Sequence, residues 1–149
     1  TSFQGGGAWL NGRPIRVSME TEAGRCVAGV GYPVGIRRDD GQRDRYLRLL
    51  HGSGLVELAI HEDTGQVVGF ATAITDGVLS AYIPLLEVLP DYQGRGIGSE
   101  LVRRLLRKLE SLYMVDLLCD AELQPFYQRH GMQPATGMMV RNYARQSGG

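Results

Sequence analysis

At 149 residues, with 43% hydrophobic and 21% charged side chains, the chain has the make-up of one globular domain able to bury its own core. Sixteen basic residues balance sixteen acidic ones for a formal net charge of +0, which argues against a general nucleic-acid binder. Two cysteines and three histidines without ligand spacing argue against a zinc site or a disulfide framework and favour a reduced, cytoplasmic setting.

Residues 1–12, with Gly5-Gly6-Gly7, read as a flexible leader to a single domain spanning 1–149. Ile15 to Met19 alternates like an edge strand and is followed by a turn through Glu22-Ala23-Gly24. Cys26 to Tyr32 is rich in glycine and small residues and shows no period. Asp40 to Leu50 reads as a helix, with Tyr46, Leu47, Leu49 and Leu50 on its apolar side and Gly52 past its end. The arginines of this region (Arg37, Arg38, Arg43, Arg45 and Arg48) interleave with Asp39, Asp40 and Asp44, as on a solvated helix face.

Leu55 to His61 is the next strand, Asp63-Thr64-Gly65 supplies turn chemistry, and Val67 to Thr75 returns. Asp76-Gly77 turns the chain again into a third strand, Val78 to Val88, which completes an antiparallel meander. Ile97 to Leu112 is a helix. Ile97, Leu101, Val102, Leu105, Leu106, Leu109 and Leu112 share one stripe, and Glu100 and Arg104 stand at pairing distance. Tyr113 to Cys119 is a nearly continuous apolar strand of the kind buried on both faces, with Asp116 its only charge. Glu122 to His130 is a second helix that tolerates Pro125 in its first turn, and Gly131 ends it. Met138 to Tyr143 is expected to add a last strand. No run is long and apolar enough for a membrane span. Strands and helices in this order give an α/β or α+β fold of three layers, a mixed, mostly antiparallel sheet flanked by helices.

The richest stretch joins the third strand to the first long helix. Gln93-Gly94-Arg95-Gly96-Ile97-Gly98-Ser99 follows an apolar strand and opens straight onto the helix. Glycines there let backbone approach a ligand, and the free N–H groups of the first helical turn favour an anion such as a phosphate or pyrophosphate. Glu87 interrupts the apolar strand just before. It reads equally as a general base and as a solvated edge residue.

Gln93-Gly94-Arg95-Gly96-Ile97-Gly98 fits a Gln/Arg-x-x-Gly-x-Gly/Ala signature. With Phe126-Tyr127-Gln128-Arg129-His130-Gly131-Met132 some thirty residues later, the chain resembles the GNAT family of acetyl-CoA-dependent N-acetyltransferases from Leu55 to Tyr143. The resemblance implies a strand that splays from its neighbour at a bulge and offers backbone groups at Leu86, Glu87 and Val88 to the pantetheine arm of CoA. It implies amides from Gly94 through Arg95, Gly96, Ile97 and Gly98 to Ser99 on the pyrophosphate, with the Gln93 side chain nearby. It makes Tyr127 the acid that protonates the departing thiolate. Asp120 takes a position where many members carry an Asn that bonds the pantetheine; a carboxylate accepts but cannot donate there. Asp116 is the rival to Glu87 as base. Catalytic Tyr127 and Glu87, acetyl-CoA as cosubstrate and no metal make up the implied site.

The leading expectation is direct acetyl transfer to a primary amine of a small molecule. The alternatives are a protein N-terminal α-amine, since the segment Val140-Arg141-Asn142-Tyr143 faintly resembles the tail of ribosomal-protein N-terminal acetyltransferases, and a CoA-binding sensor without turnover. A homodimer is a habit of the family.

Overall fold

The computed structural model describes residues 9–10, 13–14, 16–18 and 48–145, the first three segments by backbone alone. Two short strands, β1 (Trp9–Leu10) and β2 (Arg13–Pro14), pair antiparallel with each other. The main sheet has five strands in the order β3-β4-β5-β6-β7. They are β3 (Arg16–Ser18), β4 (Leu55–Ile60), β5 (Val67–Thr75), β6 (Ser80–Val88) and β7 (Met114–Asp116). All neighbours run antiparallel except β6 and β7, which are parallel. The mixed, mostly antiparallel sheet is as expected. The edge strand anticipated over Ile15 to Met19 appears as Arg16–Ser18 against Ile60, Ala59 and Leu58.

The two meander turns follow from local chemistry. Gly65 takes φ +67°, and its N–H donates to the His61 carbonyl at 2.8 Å, closing the β4–β5 turn. At the β5–β6 turn the Asp76 carboxylate accepts from the N–H groups of Val78, Leu79 and Ser80 and from the Ser80 hydroxyl. These donors hold its pKa far below the usual carboxylate range.

Helix α1 (Ile97–Lys108) covers one face of the sheet. Ile97, Leu101, Leu105 and Leu109 pack against Ala59, Val68, Ala71, Ala73, Ala81 and Ile83, and the alanines let the helix lie close. Each of the four large side chains contributes about 1.5–3 kcal/mol by leaving water. On the water side Glu100 pairs with Arg104 at 2.7 Å, as the spacing predicts, and also with Arg103. The opposite face holds Leu58, Val67 and Phe70 against Leu50, which belongs to the helical segment 48–52. Helix, sheet and helix make the three layers; residues 40–47 of the helix expected from Asp40 lie outside the described residues, as do the turn expected at 22–24 and the stretch 26–32. Of the leader expected over 1–12, residues 9–10 instead pair as β1, and 1–8 and 11–12 lie outside the described residues.

Glu57 sits on the α1 face of β4 and is 1% exposed. Lys108, at the end of α1, brings its ammonium onto the Glu57 carboxylate as an ion pair. Neither carboxylate oxygen has a hydrogen bond, so the lysine charge is its main compensation.

Three expectations for the second half need correction. Helix α1 stops at Lys108 rather than Leu112, although Leu109 and Leu112 continue its apolar stripe through the turns that follow. The strand expected over Tyr113 to Cys119 forms only at Met114–Asp116. It is the sheet edge, with Met114 37% and Leu118 44% exposed, and is not buried on both faces. The closing strand at 138–143 does not form: Met138 is 98% and Val140 92% exposed, and only a 3-10 turn, Tyr143–Arg145, ends the described chain. No helix among the described residues is long and apolar enough to cross a membrane.

Candidate active site

Strand β6 ends in a last rung in which the Leu89 N–H donates to the Val68 carbonyl at 2.8 Å. A 3-10 turn, Pro90–Tyr92, then leads to Gln93 and the bend. Gly94 and Gly96 take φ +72° and +82°, a left-handed conformation that costs other residues about 1–2 kcal/mol. A side chain at either would meet nothing within 4 Å, so the bend is open on its outer surface. The first intrahelical bond runs from the Glu100 N–H to the Gly96 carbonyl. The N–H groups of Ile97, Gly98 and Ser99 therefore lie ahead of the helical ladder, at the positive end of the α1 dipole. This backbone fits an anion.

Side chains brace the bend from behind. The Gln93 amide donates to the Val88 carbonyl at 2.9 Å, so this side chain ties the bend back to β6. Arg95 lies 5.5 Å over the Tyr92 ring, whose edge meets His61 at 6.0 Å. Gly69 on β5 lies beneath: a Cβ there would stand 2.9 Å from the Glu87 carbonyl and 3.2 Å from Val88 Cγ2. Its bareness lets the end of β6 and the start of α1 settle onto the sheet. Sequence reasoning passed over Gly69; a glycine inside a strand pattern is the signal that could have found it.

The strand before the bend borders a gap. β6 and β7 pair at Ser80, Ala81 and Tyr82, and no rung joins them beyond that point. Just past it β6 carries an extra residue relative to β5, between Tyr82 and Leu85, where Pro84 has no N–H to offer. Peptide groups alternate in direction along an antiparallel strand. With Leu89 turned to β5, Glu87 is too, and Leu86 and Val88 point into the gap. Of the three backbone positions expected there, Glu87 is the exception. Its side chain instead shares the sheet face of Leu85 and Phe70, half-buried, and burial raises its carboxyl pKa.

Tyr127 is carried by α2 (Gln124–Gln128), which follows a 3-10 turn at Ala121–Leu123. Pro125 fits its first turn and Gly131 leaves it at φ +88°. Phe126 packs edge-on against both Tyr127 and His130 and lies near Gly98 of α1. The Tyr127 phenol is pushed up in pKa by burial first, then by the charges of Cys119 and Glu87. The charges of Cys119 and Glu87 thus reach the phenol, which keeps its proton at neutral pH. Burial and then Asp120 push the Cys119 thiol up as well, so it is no thiolate nucleophile. His130 is held below the ordinary imidazole range by burial and then Arg129. Asp116 is exposed on β7 and is not among the groups acting on Tyr127; Asp120 is exposed and uses its carbonyl, not its carboxylate, to accept the Leu123 N–H. Among the described residues no three His, Cys, Asp or Glu gather as metal ligands.

Residues 28–132 match the Acetyltransferase (GNAT) family. The chain belongs to this family. GCN5-related N-acetyltransferase 3, chloroplastic, from Arabidopsis thaliana is 42% identical over 69 residues, which are 45% of this chain and 29% of that protein. The chain therefore spans less than a third of that relative. A candidate acetyltransferase from Deinococcus radiodurans R1, known from its crystal structure, is 38% identical with TM-score 0.74, covering 89% of this chain and 90% of that one. The GNAT fold extends to AAC(6')-Iy, solved with the bisubstrate analogue CoA-S-monomethyl-acetylneamine. That match has 17% identity and TM-score 0.58 over 86% of this chain and 95% of that one.

Proposed function

We propose that the chain transfers the acetyl group of acetyl-CoA directly to a primary amine of a small molecule. The observation that carries this reading is the gap itself. Past Tyr82 the outward peptide groups of Leu86 and Val88 lack a partner on β7 and lead to the Gly94–Ser99 bend, and the charge of Glu87 on the same strand reaches Tyr127. These residues fit CoA. The amides from Gly94 to Ser99 would take the pyrophosphate, and Leu86 and Val88 would pair with the pantetheine arm as with an added strand.

Bound there, the cosubstrate supplies an acetyl thioester. The Val88 N–H donates to the carbonyl oxygen as it gains charge. Glu87, half-buried beside Tyr127, draws a cationic amine and removes its proton, directly or through a water, so that nitrogen can attack. As the new C–N bond forms and the C–S bond breaks, the Tyr127 phenol gives its proton to the leaving sulfur. Its raised pKa suits a group that must arrive protonated. With this reading goes a cytoplasmic setting, favoured by two cysteines that form no disulfide or ligand pattern in the sequence.

Release of CoA, followed with polyamines, amino acids, aminoglycosides and short peptides for the parent and Tyr127→Phe, tests this. Turnover on a small amine, lowered about 10²–10⁴-fold in kcat by the mutation with the acetyl-CoA KM kept, is expected. A preference for peptides would replace the acceptor by a protein α-amine. Tight CoA binding without turnover on any acceptor would make the chain a sensor.

A further inference from the structure

A cleft of ≈1010 Å³ separates residues 113–119 from 131–138, and Tyr127 belongs to its lining. Much of its wall is apolar or aromatic: Tyr82, Tyr113, Met114 and Leu118 line it, with Tyr113 84% and Leu118 44% exposed. Among the described lining residues Asp116 is the only carboxylate, and no lysine or arginine joins it. His130 also lines the cleft, but burial and then Arg129 hold it below the ordinary imidazole range, so it brings no charge at neutral pH. An apolar cleft with one negative charge and several aromatic rings fits a cation carried on hydrocarbon, through ion pairing and cation–π attraction.

Strand register fixes where this carboxylate stands relative to Glu87. Thr72 and Ile74, two apart on β5, share a sheet face and lie opposite Leu85 and Tyr82 of β6. Tyr82, Leu85 and Glu87 therefore share that face. Asp116, opposite Tyr82 on β7, joins them. Ile74 is 56% exposed, so the face is open at the Tyr82 end. From Phe70, opposite Glu87, to Ile74 the sheet runs about 13 Å, and β7 lies one strand spacing of about 4.8 Å beyond β6. The Cα atoms of Glu87 and Asp116 are thus roughly 14 Å apart, and side chains that lean along the strands bring the two charges to about 10–12 Å. Tyr82 stands at one end of this span; at the other, the charge of Glu87 reaches Tyr127.

We propose that the acceptor is a diamine with an apolar spacer, its second ammonium resting on Asp116 while its first amine reacts beside Glu87. This inference rests on the acetyltransferase reading above and makes Asp116 a specificity-determining residue. An extended chain advances about 1.2 Å per bond, so nitrogens about eight to ten bonds apart span the distance. The reacting amine gives its proton to Glu87 and gains the acetyl group as the C–S bond breaks, and Tyr127 protonates the sulfur. The distal ammonium keeps its proton throughout. Acetylation leaves a neutral amide at the reacted end, which has no charge to offer Asp116, so the product is the monoacetylated diamine. Amino acids bring a carboxylate that Asp116 repels, and aminoglycosides bring hydroxyls that an apolar wall leaves unpaired.

The test compares diaminooctane, with an amine at each end, against octylamine and diaminobutane, for the parent, Asp116→Asn and Asp116→Arg. Turnover is followed by CoA release, and binding to the CoA-saturated chain by calorimetry. Asp116 is exposed, so circular dichroism should show folded variants. In the parent, kcat/KM for diaminooctane should exceed that for octylamine about five- to tenfold, through KM. Diaminobutane, about 6 Å between nitrogens, should lack the advantage. The ratio should fall to near one in Asp116→Asn and below one in Asp116→Arg, and mass spectrometry should find one acetyl group per product. A parent indifferent to the second amine, or a ratio that survives Asp116→Asn, would overturn the proposal and leave the acetyltransferase reading standing. Equal losses on both amines in Asp116→Asn would also overturn it, by placing Asp116 in the chemistry. If no amine is turned over, the acetyltransferase reading fails and calorimetry still decides on the site. Diaminooctane binding weakened about fivefold by Asp116→Asn keeps it, and unchanged or undetectable binding in the parent and variant removes it.

Discussion

Replacing Lys108 by methionine removes the cation from a carboxylate that has almost no contact with water. The Glu57 side chain is 1% exposed and its oxygens have no hydrogen bond, whereas Lys108 at the rim is 29% exposed. Removing one member of a buried pair costs about 3–5 kcal/mol; partial hydration of the lysine end lowers this to about 2–4 kcal/mol. In a chain of this length that corresponds to a fall of roughly 5–15 °C in Tm. Urea unfolding followed by circular dichroism should show the midpoint falling at constant slope. Glu57→Leu combined with Lys108→Met leaves an apolar pair of similar volume and should return stability to within about 1 kcal/mol of the parent. The affinity for CoA should hardly change in either variant, because Ile97 and Leu101 seat the start of α1 independently of its far end. A loss below about 0.5 kcal/mol for Lys108→Met, or a double variant as unstable as the single one, would refute the reasoning.

If Glu87 is the base, the parent rate rises with pH through a value that burial places above the ordinary carboxylate pKa of about 4.3. Glu87→Gln should remove that limb and lower kcat about 10²–10⁴-fold; an unchanged profile would reassign Glu87 to the solvated edge. Calorimetric titration with CoA should separate two neighbouring glycines. Gly96→Ala, forced to φ +82°, costs about 1–2 kcal/mol and weakens binding, whereas a methyl at Gly98 finds ordinary contact with Phe126 at 3.7 Å and leaves binding nearly intact. Asp76 is depressed in the folded state, so its stabilisation is complete above the unfolded pKa of about 3.9 and fades as pH falls through the lower folded value. Asp76→Ala should speed hydrogen exchange at Val78, Leu79 and Ser80 at neutral pH and flatten that acid dependence; equal protection in parent and variant would count against it.

The meander, α1 and the bend could be read from the sequence because each is set by local signals: turn residues at Gly65 and Asp76, a 3.6-residue stripe from Ile97, and glycines between strand and helix. The open backbone of the bend was legible too, since two left-handed glycines and three free amides are local properties. What escaped depends on neighbours far away in sequence. The apolar run from Tyr113 to Leu118 looks the same whether a strand lies on both sides or on one, and among the described residues only β6 pairs with it. Leu109 and Leu112 keep facing the core after the helix has stopped, so periodicity overran the true end. Glu87 points its peptide toward β5 because of the register against Phe70, which no window of residues reveals. Gln93 could equally have faced a ligand; its bond to the Val88 carbonyl is a matter of tertiary geometry.

Only three rungs, at Ser80, Ala81 and Tyr82, join β7 to the sheet, and α2 with Tyr127 follows β7 in the chain. The bend and Glu87 belong to the stiff meander and its packed helix, whereas the tyrosine rides on a slender arm steadied mainly by Phe126 near Gly98. Mechanically, the bend and the Tyr127 segment have unequal compliance. Thermal opening should therefore swing the Tyr127 arm while the bend stays still, and backbone amides of 114–131 should exchange ahead of those of β5, β6 and α1. On the proposed function, a molecule entering or leaving would then move the acid and not the anchor.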